Sequence, residues 1–484
     1  MSWITSVGLT PFGRHEGHDT VDLMSTAAAL DDAGLARGEI DGLITGYSTT
    51  MPHLMLSTLF AEHFGLSPAY AHGIQLGGAT GYATVMLAHL LVEAGLLRHI
   101  LVVAGENRLT GQSRDAAMQT LAQVGYARYE MLLGPTIPAY YGLLASRYMH
   151  DTGTTEADVA ALAVLMRDNA ATHPGAQFRE RMTVADVLAL WPIAEPLRIL
   201  DCCPVSDGGA AIVISRERTG AARVRIRGTG QAHSHQHISA APSFGPFGAA
   251  LAASRAGLGD TVALSDVRYA GVYDSFTITL AILLEELGLA PRGRGLFRPR
   301  RRHAAQHPWR PALVRPLRRG RCHGAPGRDA VTDDRPRPAA PGAGRLGGAT
   351  AWRWRRPVVA CHSLAGANGM TGWTAGQPAL DYQRCPSCNA VWYFARAFCS
   401  CCGNLEPQTL TSAGQGVVQA ITTVTRAPSP ELRALAPYRI ALVDLNEGFC
   451  AMTHAADDVG IGDAVTTRFV PFAAHTIPYC ERWP

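Results

Sequence analysis

The stretch Ile74–Leu91, IQLGGATGYATVMLAHLL, constrains the fold of this chain more than any other. A short apolar strand, Ala71–Leu76, runs into a glycine turn, Gly77–Gly81, and then into an apolar helix from Tyr82 to about Leu91. A helix that is apolar nearly all round belongs in an interior. Its first backbone N–H groups, at the positive end of the helix dipole, then face a protected site suited to an anion. A plain glycine-rich strand-to-helix connection would read the same way.

The flanking residues to about 290 alternate strands and helices, as expected of an α/β fold. Trp3–Leu9 and His99–Ala104 read as strands. Asp19 caps a helix running to Ala33, Ser113–Gln123 and Ala139–His150 read as helices, and TTEAD opens another over Thr155–Ala171. The Asp207-Gly208-Gly209 turn leads into an apolar strand, and Arg223 begins a second half with the strand VRIRG. The chain has 484 residues, room for two to four domains, and is globular with 47% hydrophobic and 17% charged residues. No basic n-region with an apolar run opens it and no long apolar stretch interrupts it, so a cytoplasmic protein without a membrane partner is expected. Of its 11 cysteines none lies in the first 200 residues and five fall between Cys385 and Cys402. That distribution favours metal binding in a reducing compartment over disulfides. Adjacent Cys202 and Cys203 read as buried small hydrophobes.

Several of these runs carry a family resemblance. GGATG resembles the turn at which enzymes of the thiolase superfamily hold a nucleophilic cysteine in a Cys-(Ala/Ser)-Ser-Gly pattern, with Gly78 at the cysteine position. The resemblance makes Gly77, Gly78 and Thr80 substrate-binding residues, and glycine closes the acyl-enzyme route. EIDGLITGY (Glu39–Tyr47) and ILDCCPVSDGGAAIVIS (Ile199–Ser215) are similar to runs of the same family. Tyr273-Asp274-Ser275-Phe276 stands where sterol-carrier-type thiolases have a His-Asp-Cys-Phe or Asn-Glu-Ala-Phe run whose first residue reaches the active site. This implies catalytic Tyr273 and Asp274; the tyrosine hydroxyl can donate to a thioester oxygen or act as general acid or base. A core tyrosine before an amphipathic helix is the plainer alternative.

From Pro291 to about Gly366 the apolar periodicity vanishes. Residues 291–356 hold 18 of the 43 basic residues against three Asp, so the rest of the chain carries about −11 although the total is +4. All the basic residues are Arg, which points to a GC-rich coding sequence. A basic disordered insert is one explanation. A shifted reading frame is the other: read one base later, Arg315–Arg328 can encode Gly-His-x-Gly followed by a helix, and Trp352–Ala360 a glycine-rich strand. Both resemble thiolase motifs otherwise missing, including the catalytic histidine.

Beyond Trp373, CPSC and CSCC separated by ten residues place Cys385, Cys388, Cys399 and Cys402 as two knuckles around one structural zinc, with Cys401 spare. Short strands follow at Gly416–Thr425, Tyr438–Leu445, Phe449–His454 and Asp463–Val470, a small antiparallel barrel. Ribbon plus barrel resembles the acyl-CoA-associated zinc-ribbon/OB domain that partners thiolase-like proteins. Both modules also bind nucleic acid, but Gly403–Pro484 has five Arg against eight acidic residues, which disfavours a phosphate backbone.

The expected protein is an α/β thiolase-like fold of two αβ halves, the second corrupted, plus a zinc ribbon and an OB-type barrel. Its parts are 1–290, the 291–366 segment, a linker 367–384, the ribbon 385–403 and the barrel 404–484. The resemblance implies a homodimer acting on a CoA thioester by aldol or retro-aldol chemistry, related to acyltransfer. A non-catalytic acyl-CoA carrier and a nucleic-acid-binding protein are the alternatives. Sequencing the gene across Leu289–Thr371 tests the frame: the shifted reading should be open and encode the Gly-His-x-Gly string, and a stop codon there leaves a genuine insert.

Overall fold

The computed structural model describes residues 1–29, 34–173, 175–218, 224–244, 247–259, 262–263, 266–267, 269–293 and 371–483. The 291–366 segment, and with it the frame question, lies outside the described residues from residue 294 onward. The chain opens with β1 (Ser2–Leu9), α1 (Thr20–Ala29), β2 (Gly42–Gly46), α2 (Leu56–Phe64), β3 (Tyr70–Ile74), α3 (Thr80–Glu93) and β4 (His99–Asn107). Then come α4 (Arg114–Ala122), α5 (Ile137–Thr152), α6 (Glu156–Ala171), α7 (Val184–Leu188), β5 (Pro192–Ala194), β6 (Leu197–Arg198), β7 (Asp207–Ser215), β8 (Val224–Ile226), α8 (Ala249–Leu258) and α9 (Thr277–Glu286). Hydroxyl caps start four of these helices: Ser113, Thr136, Thr155 and Thr183 each accept a bond from the backbone N–H three residues on.

Six strands form one sheet in the order β3-β2-β4-β7-β1-β8. β3, β2 and β4 run parallel, and the pairs β4–β7, β7–β1 and β1–β8 are antiparallel. Side-chain alternation in β4 sorts the two faces. Ile100 and Val102 pack with Ala88 and Val92 of α3, whereas Leu101 and Val103 pack with Met24 and Phe60 of α1 and α2. The glycines expected to form a turn at 208–209 lie inside β7 instead. Gly209 is there because α1 crosses so closely: a Cβ on it would sit 2.1 Å from the Leu23 carbonyl oxygen, and one on Gly105 2.7 Å from Met24 Cγ, while one on Gly208 would meet the Phe12 ring at 2.6 Å.

Two further expectations need correction. α3 begins at Thr80, and it is not buried all round: Tyr82 is 56% and Leu90 51% exposed, because the sheet covers one face of the helix and the described residues cover the other only in part. The strand after Arg223 does not open a second sheet among the described residues. It pairs with β1 and extends the first one, while α9 packs against α5 and α6 around Phe276, Leu280 and Leu284.

In the C-terminal part β9 (Asp381–Arg384) is the middle strand of a three-stranded sheet with β10 (Val391–Trp392) and β11 (Gln408–Thr411). The stretch 367–384, read as a linker, is therefore part of the ribbon in its described residues, and Trp373 is only 4% exposed, its indole N–H donating to the Tyr393 hydroxyl at 2.8 Å. β12 (Gln415–Val424), β13 (Tyr438–Leu445), β14 (Phe449–Ala455), β15 (Ala464–Phe472) and β16 (His475–Arg482) follow. They close on themselves in the order β12-β13-β14-β16-β15-β12, with β14 and β16 parallel and the rest antiparallel. This is OB-type closure, and it leaves the barrel no free edge.

The barrel shares its core with the first part of the chain. Leu133, Leu143 and Ala194 are buried among Val418, Val424, Leu442 and Ile477. β12 pairs with β5 at Val424 and Ala194, and Tyr438 donates to the Gly134 carbonyl at 2.5 Å. His454 bonds the Leu133 carbonyl at 2.8 Å, and burial pushes its imidazole down to about 4, so it sits there neutral. The close crossing of α1 sets a test: Gly209→Ala should destabilise the protein by about 1–3 kcal/mol in urea unfolding, since helix backbone must move. Gly38→Ala, where nothing lies within 4 Å, serves as control. Equal midpoints for the two would mean that α1 does not press on β7.

Candidate functional site

The glycine turn lies beyond the carboxyl ends of the parallel strands, where open α/β sheets hold their ligands. β3 ends at Ile74, and Gly77, with φ +54°, starts a single 3₁₀ turn over Gly77–Ala79 that feeds directly into α3. Thr80 braces it: its hydroxyl donates to the Gly77 carbonyl at 2.8 Å and accepts from the Leu76 N–H at 2.9 Å. The turn itself is exposed among the described residues, not enclosed as the sequence suggested.

Tyr273 closes one side of this turn. A Cβ built on Gly78 would lie 2.6 Å from Tyr273 Cε1, closer than real contacts allow, and 3.4 Å from Cδ1. A cysteine at 78 would therefore displace this ring from its position. Tyr82, on the first turn of α3, also reaches over, its hydroxyl 3.4 Å from the Gly271 carbonyl.

The Tyr273–Phe276 run is held from below by the segment 198–203. Cys203 N–H donates to the Ser275 carbonyl at 3.0 Å, Cys202 forms a bridge with Phe276, and Thr277 donates to Asp201 at 3.0 Å. Burial raises the Asp201 carboxyl, against the Arg198 N–H and the Thr277 hydroxyl that it accepts. Asp274 is 5% exposed. Burial, and then the Asp274 charge, push the Cys203 thiol up to about 11, with Arg108 opposing; burial pushes Cys202 further still. Both thiols stay protonated near neutrality, the wrong state for a nucleophile.

A polar network at the ends of β2 and β4 escaped the sequence reading. Glu106 accepts from the Ser48, Thr49 and Thr50 hydroxyls and from the Thr49 and Thr50 N–H groups, and pairs with Arg108 at 3.3 Å. Burial would raise its carboxyl, but these donors and the guanidinium outweigh it and hold it below the usual carboxylate range. Asp207, fully buried, accepts from the N–H groups of His15, Leu109 and Thr110 and from the Thr110 hydroxyl. The available signal was a carboxylate at the end of each buried strand.

In the ribbon, the four sulfurs of Cys385, Cys388, Cys399 and Cys402 lie within 4.8 Å of one another, with 3.5 Å between Cys385 and Cys402 and 3.6 Å between Cys388 and Cys399. Four thiolates at 2.3 Å from a tetrahedral ion would stand about 3.8 Å apart. Burial works against a thiolate at Cys385, but the N–H groups of Cys388 and Ser387 directed at its sulfur bring it down to about 6. Cys401 contributes its backbone, donating N–H to the Cys399 sulfur at 3.4 Å, while its side chain is exposed.

Residues 230–307 match the family described as "Thiolase C-terminal domain-like", and 411–470 match "ChsH2, C-terminal OB-fold domain". A steroid side-chain-cleaving aldolase of Thermomonospora curvata is 32% identical over 318 residues, covering 60% of this chain and 78% of the relative. The chain belongs to the thiolase superfamily. A 17-hydroxy-3-oxo-4-pregnene-20-carboxyl-CoA lyase of Mycobacterium tuberculosis is 30% identical over 318 residues, 60% of this chain and 79% of the relative. Among solved structures, the "Ltp2-ChsH2(DUF35) aldolase" aligns with TM-score 0.53 and 28% identity over 61% of this chain and 78% of that one. An SCP2-thiolase-like protein of Mycobacterium smegmatis, at TM-score 0.60 and 16% identity over 100% of this chain and 99% of that one, shares the fold.

This thiolase-superfamily chain thus brings together Gly77, Gly78 and Tyr273, places Asp274 one residue behind, and gives the Thr80 hydroxyl to the turn. Its four knuckle cysteines form one cluster. No helix among the described residues is long and apolar enough to cross a membrane. Purified protein is expected to carry one metal ion at this cluster; Cys385→Ser or Cys399→Ser should abolish it and unfold the ribbon, whereas Cys401→Ser should leave the metal content unchanged. Elemental analysis of the purified variants decides, and equal loss from Cys401→Ser would void the ligand assignment.

Proposed function

We propose that the chain catalyses retro-aldol cleavage, or the reverse aldol addition, on a 3-hydroxyacyl-CoA thioester. The observation that carries this reading is the Tyr273 ring packed on Gly78, which leaves no room for a nucleophilic cysteine and puts a phenol where acyl transfer would begin. A retro-aldol step needs no acyl-enzyme. Loss of the 3-hydroxyl proton lets the C2–C3 bond break toward C2, and the electron pair passes into the thioester carbonyl as an enolate. C3 departs as a carbonyl compound, and a proton returned to C2 gives the shortened acyl-CoA. Only a proton carrier and donors for the enolate oxygen are required. Tyr273 is assigned the first role, with Asp274 behind it, and the amino-terminal end of α3 at Gly77–Gly78 favours the enolate charge.

The relatives named above act on a steroid side chain or a pregnene carboxyl-CoA, which supports a bulky acyl group. We assign zinc to the four-cysteine cluster, where closed sulfur coordination makes it structural. The exposed edge strand β3 and the uncovered α3 face with Tyr82 and Leu90 support a homodimer, and the free thiols among the described cysteines fit a reducing cytoplasm.

Tyr273→Phe removes only the hydroxyl. Turnover of 17-hydroxy-3-oxo-4-pregnene-20-carboxyl-CoA, followed by product chromatography, should fall about 100- to 10,000-fold. Parental rates in that variant would return Tyr273 to the core. Sedimentation of the same preparation reads the dimer, and a monomer at micromolar concentration removes that part of the proposal.

A further inference from the structure

We propose that Tyr141 is a positioning residue for Tyr273, holding the catalytic run against Gly78 from the α5 side. The inference rests on the role given to Tyr273 above. Tyr141 lies in the second turn of α5, and its ring stacks on Phe276 with centroids 4.0 Å apart and planes at 23°. Phe276 is itself buried, and its backbone is the last extended residue before α9. The Ser275 hydroxyl faces the Tyr141 phenol, which burial raises above its ordinary value and so keeps neutral. Tyr141 therefore grips two consecutive residues of the run, Ser275 and Phe276, in addition to the Cys202–Cys203 backbone contacts.

Helical spacing explains how α5 can hold this grip steady. Tyr141, Ala145 and Tyr148 pack toward α9, and Tyr148 donates to Glu285. One residue round the helix, Gly142 and Ser146 face the barrel. A Cβ on Gly142 would sit 2.6 Å from Thr422 Oγ1 and 2.9 Å from the Glu195 carbonyl, and the Ile421 N–H donates to Ser146 at 3.3 Å. α5 is clamped between β12 and the catalytic run, so Tyr141 has little freedom to follow Phe276 if the run shifts. A phenol in van der Waals contact with Gly78 tolerates little displacement, since a misplacement of about 1 Å can cost on the order of 100-fold in rate.

The test uses the full chain with Tyr141→Phe, Tyr141→Leu and Tyr273→Phe, and the double variant Tyr141→Leu/Tyr273→Phe, on the same steroid thioester. Tyr141→Leu should lower kcat by about 100-fold with KM within about twofold, and Tyr141→Phe, which keeps the stack, should recover most of the rate. In the Tyr273→Phe background Tyr141→Leu should cost nothing further, because residues acting through one group are not additive. Hydrogen exchange supplies a readout independent of turnover: Tyr141→Leu should speed exchange at the amides of 273–278 and leave β2 and β4 unchanged. Additive losses, or unchanged exchange at 273–278, overturn the proposal. Parental turnover in Tyr273→Phe alone would instead overturn the catalytic reading, and the exchange result still decides whether Tyr141 holds the run.

Discussion

The packing of α5 into the barrel is the contact on which the rest of this structure depends. Helix and strand approach so closely at Gly142 that any side chain there would meet Thr422 and the Glu195 carbonyl. That approach lets Leu143, Ala194 and the barrel's own Val418 and Val424 bury one another in a single core. Small barrels have little interior of their own and gain stability by borrowing a neighbour's apolar face. Here the loan runs both ways, because β5, which pairs with β12, also fixes the start of the segment that carries Asp201, Cys202 and Cys203 beneath the Tyr273–Phe276 run.

A second steric fact shapes the glycine turn. Gly78 and the Tyr273 ring lie so close that a Cβ at 78 would meet Tyr273 Cε1 at 2.6 Å. Around them the acidic groups are sorted by their donors. Glu106 and Asp207 take so many hydrogen bonds that they work as struts for the loops at the strand ends, whereas burial and the nearby Asp274 charge raise the Cys203 thiol's cost of ionising. A phenol thus stands over the turn, with two thiols held protonated behind it.

Sequence pattern exposed the elements whose signals are local. The alternation of Tyr438–Leu445 marks β13 at its observed ends, and Thr155 with Asp158 marks the start of α6 through reciprocal hydrogen bonds. It failed where partners are distant. β9, DYQR, has no apolar alternation and takes its strand form from two neighbours, and β16 contains Pro478 and is held by β15 and β14. The short strand after Arg223 gave no hint that β1 would claim it. At the site, GGATG and YDSF could each be singled out from the sequence, but that the ring of one fills the missing side chain of the other is a property of the folded chain. The hydroxyls around Glu106 and the ring of Tyr141 carry no motif at all.

The seat of the barrel on α5 also has a consequence for dilution. A barrel supplied on a separate polypeptide would leave α5 in proportion to how thin the solution became. Joined in one chain, the barrel meets α5 at an effective concentration fixed by the tether and not by expression level. The integrity of the core that α5 and the barrel share is then a first-order property of each molecule, whatever the abundance of the others.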